Sequence, residues 1–308
     1  MRLKAPGFRL GTSYDLTFSP SAEWLATVGR QVTLWSVAQR RAFARNSLLR
    51  DPSYVAFAPD ESCYAIKNTA GEIIVCSLPE GDPISRYTPD VGEEGCRLAF
   101  TRDASCLIDG SWGGKVVIRQ ARTMEELSTI EFGQSMVVGA SHAADRDLWA
   151  FAVSARHGHP NFEQGADFIV LCILVAETLK EVKRFGPFIN LTNMQLRRDG
   201  GQLAAIHGRT ELLVLDVQSE ERIATAPLEM GGTGSSLTWS PDGRILAAVH
   251  QEGISFFDAM TLQEIVCRED PYPSAVAFSA DGALLGLGSW KEGVVLPVPD
   301  VIPSVESV

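Results

Sequence analysis

One phrase recurs seven times along this chain, and its spacing limits the fold more than any single residue does. The clearest copies are Leu237-Thr238-Trp239-Ser240-Pro241-Asp242-Gly243 and Val276-Ala277-Phe278-Ser279-Ala280-Asp281-Gly282. Leu16-Thr17-Phe18-Ser19-Pro20-Ser21, Val55-Ala56-Phe57-Ala58-Pro59-Asp60 and Leu98-Ala99-Phe100-Thr101-Arg102-Asp103 follow the same pattern. Met194 to Gly200 keeps the turn without the aromatic residue, and Val138 to His142 is the weakest copy. With Phe18, Phe57, Phe100, Ala140, Leu196, Trp239 and Phe278 as anchors, successive copies lie 39, 43, 40, 56, 43 and 39 residues apart. Five of these spacings fall at or just below the period of about 40–45 residues that builds one four-stranded blade. The exception is 13 residues longer than 43, and Ala155 to Asp167 between its anchors is a 13-residue stretch of loop-like composition. One insertion there restores the period.

Each anchor is followed by a turn, an apolar run, a second turn and another apolar run. In the sixth copy these runs are Ile245 to Val249 and Ile254 to Phe257; in the seventh, Leu284 to Leu287 and Gly293 to Leu296. Short β-rich runs with Pro-Asp-Gly turns at regular spacing read as antiparallel strands. The residue before each anchor is small at Thr17, Ala56, Ala99, Gly139, Thr238 and Ala277, with Gln195 the exception. Small side chains there suit an innermost strand crowded against a central axis. The pattern predicts an all-β chain: seven blades of four antiparallel strands, stacked as a ring.

On these residues the chain resembles the WD-repeat β-propeller family. The family's blade phrase is similar to Ala275 to Gly282 followed by Gly288-Ser289-Trp290. Departures are also plain. The Gly-His dipeptide before the innermost strand is absent from every copy, and the Trp-Asp pair survives only as Trp35-Ser36, Leu215-Asp216 and Phe257-Asp258. Ala70, Gly113, Glu252 and Glu292 replace the aspartate of the loop after the second strand. The resemblance implies a single domain over residues 1–308 that serves as a protein interaction scaffold. It also implies closure of the last blade by an N-terminal strand, expected at Leu3 to Leu10. Val301 to Val308 is the competitor for that place.

Composition narrows the function. The net charge is −11, which opposes nucleic-acid binding, since that needs a basic face. A basic protein partner suits it. The six cysteines show no C-x-x-C or metal-ligand spacing, so they read as reduced core residues and point to the cytoplasm. The longest apolar run, Phe168 to Ala176, is far short of the roughly 20 residues that span a bilayer.

Candidate functional residues gather on one side of the ring. Loops between second and third strands, and loops leading into the innermost strands, emerge on one face, here called the upper face. They carry Arg30, Trp112, Lys115, His207, Arg209, His250, Trp290, Lys291, Tyr14, Tyr54 and Tyr272. The insertion adds Arg156, His157, His159, Phe162 and Glu163. Trp, Tyr and Arg dominate interface hot spots. A partner-binding surface is expected at Tyr54, Trp112, His157, His159, Phe162, Arg209, His250, Tyr272 and Trp290. Phe188 and Ile189 read as exposed apolar loop residues, whereas Trp24, Trp35, Trp149 and Trp239 sit on strand patterns and read as core.

No cofactor is expected. Gly231 to Ser236 lacks the helix and lysine of a phosphate-binding loop. His157, His159, Glu163 and Asp167 make a weak metal set, since zinc needs three or four converging ligands. Ser141-His142 are adjacent in sequence, and a Ser–His dyad is recognised by geometry. The expected function is therefore a non-catalytic binding module, a monomer or a subunit of a hetero-complex. Its sharper form is an antitoxin or immunity-type protein that masks a basic effector. The alternative is a propeller enzyme, a metal-assisted lactonase or hydrolase, with its site at the channel mouth.

Overall fold

The recurring phrase folds the same way in several copies. In the turn after the innermost strand, the Ser279 hydroxyl donates to Asp281 Oδ1 at 2.6 Å and accepts the Leu284 N–H at 2.8 Å. Ser240 does the same with Asp242 and Ile245, and Thr101 with Asp103 and Cys106. The carboxylate also accepts a backbone N–H two residues on. These side chains satisfy backbone groups that the tight turn leaves without ladder partners. The Thr101 hydroxyl, first among the causes, holds the Asp103 carboxyl below its usual range, as Ser279 does for Asp281.

A computed structural model describes residues 7–133, 135–143, 145–155, 167–191, 193–229, 237–270 and 272–302. These residues form a seven-bladed β-propeller. The innermost strands are Asp15–Phe18, Pro52–Phe57, Ala99–Phe100, Ser135–Ala143, Asn193–Leu196, Leu237–Trp239 and Pro273–Phe278. All seven sequence anchors lie on them. In the first six blades the four strands run outward in sequence order, every pair antiparallel.

The seventh blade closes the ring. Its inner strand pairs with the first arm of the long run Leu284–Pro297, and the second arm pairs with Phe8–Ser13 through Phe8↔Val295, Arg9↔Val294 and Gly11↔Gly293. The N-terminal strand thus reaches Ser13, beyond the expected Leu10; residues 1–6 lie outside the described residues. The C-terminal segment forms a 3₁₀ turn, Val298–Asp300, and Val301 and Ile302 pack on the apolar cluster of the seventh blade without joining its sheet.

The core sits between the blades. Seven buried clusters form, one at each junction of neighbouring blades. The junction of blades 7 and 1 contains Leu10, Leu16, Leu25, Ala275 and Val295, so the N-terminal strand also seals the seam. Trp149 and Trp239 are core as expected from their strand pattern, but Trp24 and Trp35 are only half-buried. Trp24 meets the exposed Phe43 edge-on at 4.9 Å, and Trp35 donates its Nε1–H to Thr27 Oγ1 at 2.9 Å. Both lie nearer the rim, where less of the indole can be covered.

Blade 4 departs from the others. Its innermost strand has nine residues, with a register shift between Val137 and Gly139. The bulge puts Ala140 itself on the channel wall, in place of Gly139 before it. Its second strand, Leu148–Ala155, and third strand, Asp167–Val175, flank the expected insertion. Residues 156–166 lie outside the described residues.

A buried ion pair joins blades 2 and 3. Lys67 Nζ, 1% exposed, donates to Asp109 Oδ1 at 2.5 Å, Gly110 O at 2.8 Å and Cys96 O at 3.3 Å. All three ammonium protons find acceptors, as a buried charge requires. Gly95 makes room for this arrangement: a Cβ there would lie 1.9 Å from Gly110 O and 2.7 Å from Lys67 Nζ.

The cysteines are unpaired. Cys63, Cys76, Cys96, Cys106 and Cys172 are buried, and only Cys267 is half-exposed. Burial pushes the Cys96 and Cys172 thiols up to about 12 and raises those of Cys63, Cys76 and Cys106. A thiol reacts as its thiolate, and burial suppresses that form. Ellman's reagent should therefore label Cys267 first in the native protein, and all six cysteines in denaturant. Rapid native labelling of several thiols would show that the junctions open.

Candidate functional site

Two parts of the ring carry chemistry beyond folding: the loops of the upper face, and the channel that opens on the lower face.

On the upper face the closing seam gathers aromatic residues. Tyr14 directly precedes the innermost strand of blade 1, and its ring meets that of Trp290 at 4.2 Å between centroids, tilted by 35°. The Trp290 backbone N–H donates to Tyr272 O at 3.0 Å. Lys291 Nζ lies 3.8 Å from the centre of the Tyr272 ring, a cation–π distance. Trp290 and Tyr272 are each 42% exposed. Beside them Arg9 pairs with Glu292 at 2.9 Å. Blades 7 and 1 thus present one continuous patch with large, stiff side chains.

The other expected residues divide. Trp112 is 39% exposed in the loop of blade 3, where its N–H donates to Glu94 O at 2.9 Å. Arg209 is exposed in the turn of blade 5, with φ of +64°. Tyr54 belongs to the innermost strand Pro52–Phe57 rather than to a loop. Its ring lies beneath the Arg97 guanidinium, 5.6 Å from the centroid, and burial pushes its hydroxyl pKa up. His157, His159 and Phe162 lie outside the described residues, as does Gly231 to Ser236. Phe188 is buried, against expectation, because it ends the outer strand Thr178–Phe188 and packs between blades 4 and 5; Ile189, the next residue, is exposed.

His250 is a correction. It ends the second strand of blade 6 and turns inward, only 9% exposed. Ser255 donates its single hydroxyl proton to Glu264 Oε2 at 2.7 Å, and the Glu252 N–H points at His250 Nδ1 at 3.3 Å. His250 Nε2, 2.8 Å from Ser255 Oγ, therefore carries the ring hydrogen and donates it. Burial holds the imidazole pKa below its ordinary value, against the raising effect of Glu264 and Glu252. The serine proton points away from the histidine. The chain braces a blade and does not form a nucleophile with its base.

The channel is a cup. Its cavity of about 720 Å³ is lined by residues of all seven innermost strands and by lower-face turn residues such as Pro20, Pro59, Arg102 and Arg198. The small residues before the anchors face it: Thr17, Ala56, Ala99, Thr238 and Ala277 all line the wall. Arg97 of blade 3 reaches past blade 2 to bond Asp15 of blade 1. Ser141 Oγ accepts the Leu196 N–H at 2.9 Å, while His142 stacks on Trp149 at 4.2 Å and 15°. Ser141 and His142 are thus engaged separately. Among the described residues no group of three His, Cys, Asp or Glu side chains could hold a metal ion. Among the described residues no helix is long and apolar enough to cross a membrane.

No protein-family model matches the sequence, and no curated protein matches it. Among solved structures, a chain of Kuenenia stuttgartiensis hydrazine synthase is similar, with a TM-score of 0.76 over 97% of both chains and 13% sequence identity. At that identity the likeness speaks for the fold alone, and the fold it supports is the seven-bladed β-propeller.

Proposed function

We propose that this chain is a non-catalytic interaction module that binds a protein partner on its upper face. The observation that carries the reading is where exposed apolar side chains fall. Leu48, Val91, Trp112, Ile189, Tyr272 and Trp290 are exposed large hydrophobics of upper-face loops, against Met260 and Val175 in the turns between third and fourth strands on the lower face. Tyr272 and Trp290 join Tyr14 in one patch at the closing seam, and a contiguous apolar patch, unlike scattered single residues, marks an interaction surface. Strands anchor these loops at both ends, so little ordering entropy opposes binding.

Charge narrows the partner. The upper face mixes Asp51 and Glu252 with Arg30, Arg209 and Lys291, and its Glu292 is paired with Arg9, but the chain as a whole is at −11. That net charge favours a basic protein. A masking role against a basic effector, of the antitoxin or immunity type, is the sharpest form of this reading. Membership of the WD-repeat family belongs to the proposal too, supported by the turn phrase and the Trp35–Thr27 bond within blade 1. So does a cytoplasmic location, where six unpaired cysteines stay reduced.

Partners recovered from the native host by affinity capture should be retested singly with the purified chain. Trp290→Ala and Tyr272→Ala should each weaken a true partner roughly 30-fold, the equivalent of about 2 kcal/mol for an anchor residue. Their melting temperatures should stay within a few degrees of the parent. Unchanged affinity in both variants, with binding lost instead on lower-face substitution at Asp242, would place the surface on the wrong side.

A further inference from the structure

We propose that the lower-face channel binds a small organic monoanion with an apolar body, such as an aromatic carboxylate or sulfonate. This site is separate from the upper-face surface and does not depend on it.

The cavity has the right size and walls. At about 720 Å³ it falls within the roughly 300–1,000 Å³ typical of small-molecule sites. Phe18, Phe57 and Phe278 line it half-buried, so each keeps part of its ring open to an occupant. Their counterparts in other blades, Phe100 and Trp239, are buried.

Charge gives the sign of the ligand. The cavity is lined by Arg97, Arg102 and Arg198, with Asp145 the only carboxylate among its lining residues. Asp15 neutralises Arg97, and Asp145 neutralises Arg198 at 2.8 Å. Arg102 makes no ion pair among the described residues, and it lies at the mouth. His142 adds no charge at neutral pH, since burial, the leading cause, holds its pKa below the ordinary value. One uncompensated cation therefore stands over a cup whose wall mixes phenylalanine faces with Thr, Ser and Gln side chains, in a chain of net charge −11. A single cation suits one anionic group and leaves the further charges of a polyphosphate without partners.

Two polar atoms behind the wall lack partners. Trp149, 1% exposed, has an indole N–H without a partner, and His142 Nε2 has none either. Both residues line the cavity. Both atoms are buried behind the wall, so an occupant is held by the open ring faces and by Arg102 and not by these two groups.

A matched pair of fluorescent probes tests the idea on the full chain. 8-Anilino-1-naphthalenesulfonate carries the anion, and N-phenyl-1-naphthylamine has the same rings without it. The sulfonate should bind saturably at one site and roughly tenfold more tightly than the neutral probe, about the worth of one charge-assisted hydrogen bond. Arg102→Gln, at an exposed turn, should remove that preference and leave the neutral probe unchanged. Ala277→Phe, which fills the channel, should abolish binding of both. The proposal fails if the sulfonate does not saturate at one equivalent, if Arg102→Gln keeps the preference, or if Ala277→Phe leaves binding intact.

Discussion

Replacing Asp109 by alanine is expected to destabilise the ring by about 3–5 kcal/mol, the cost of breaking a buried ion pair and stranding one charge. Lys67 would keep its bonds to Gly110 O and Cys96 O but lose the only carboxylate that balances it. With Lys67 1% exposed, water cannot take over without opening the junction of blades 2 and 3. Asp109→Asn retains an oxygen acceptor and should cost less. The double variant Lys67→Met/Asp109→Leu removes both charges and should be more stable than Asp109→Ala alone. Denaturation midpoints measure all three. A loss below about 1 kcal/mol for Asp109→Ala, the level of an exposed pair, would show that the junction is open to solvent.

Removal of the N-terminal strand should have an effect of similar size. A chain that starts at Tyr14 loses the ladder to Gly293–Val295 and the buried Leu10 of the seam. Burying one leucine in a packed core is itself worth about 2–5 kcal/mol against alanine. The truncation also exposes the edge of the long run Leu284–Pro297, a template for pairing with another chain. The expected result is a markedly lower melting temperature and larger species on size-exclusion chromatography. Adding a peptide of residues 7–13 should reverse part of both changes. A truncated chain that stays monomeric with an unchanged melting temperature would mean that the seam holds without its outer strand.

The ring was legible because the turn chemistry repeats. Ser240-Pro241-Asp242-Gly243 and Ser279-Ala280-Asp281-Gly282 recur because the same hydroxyl–carboxylate network folds each turn, so the period can be read from residues that solvent tolerates. Blade 4 blurred the period for a physical reason: its bulge after Val137 shifts which residue faces the axis. The patch of Tyr14, Trp290 and Tyr272 was legible as separate residues. That they meet follows from ring closure, a contact between the two ends of the chain. His250 misled because its position in the repeat says which blade end it occupies but not which way the ring turns. The polar chain through Ser255 and Glu264 decides that.

The Lys67–Asp109 pair did leave a trace. Each charge interrupts an otherwise apolar run, Tyr64-Ala65-Ile66-Lys67 and Cys106-Leu107-Ile108-Asp109, and the two are 42 residues apart, one period of the repeat. Opposite charges at buried positions one period apart are a signal for a staple between neighbouring blades. The Arg97–Asp15 bridge left no such trace, because it spans two periods and depends on an arginine long enough to pass blade 2.

Phe8–Ser13 sets an order of events during synthesis. It leaves the ribosome before all seven innermost strands, and long before its partner Gly293–Val295. Until then the nascent chain can stack its early blades one by one but holds an open crescent with two bare ends. This strand can be seated only after the blades between it and its partner, so completion of the ring works as a check that all seven blades have been made. A ribosome stalled before Gly293 would display an unlatched molecule, with both ends of the crescent open to chaperones and proteases.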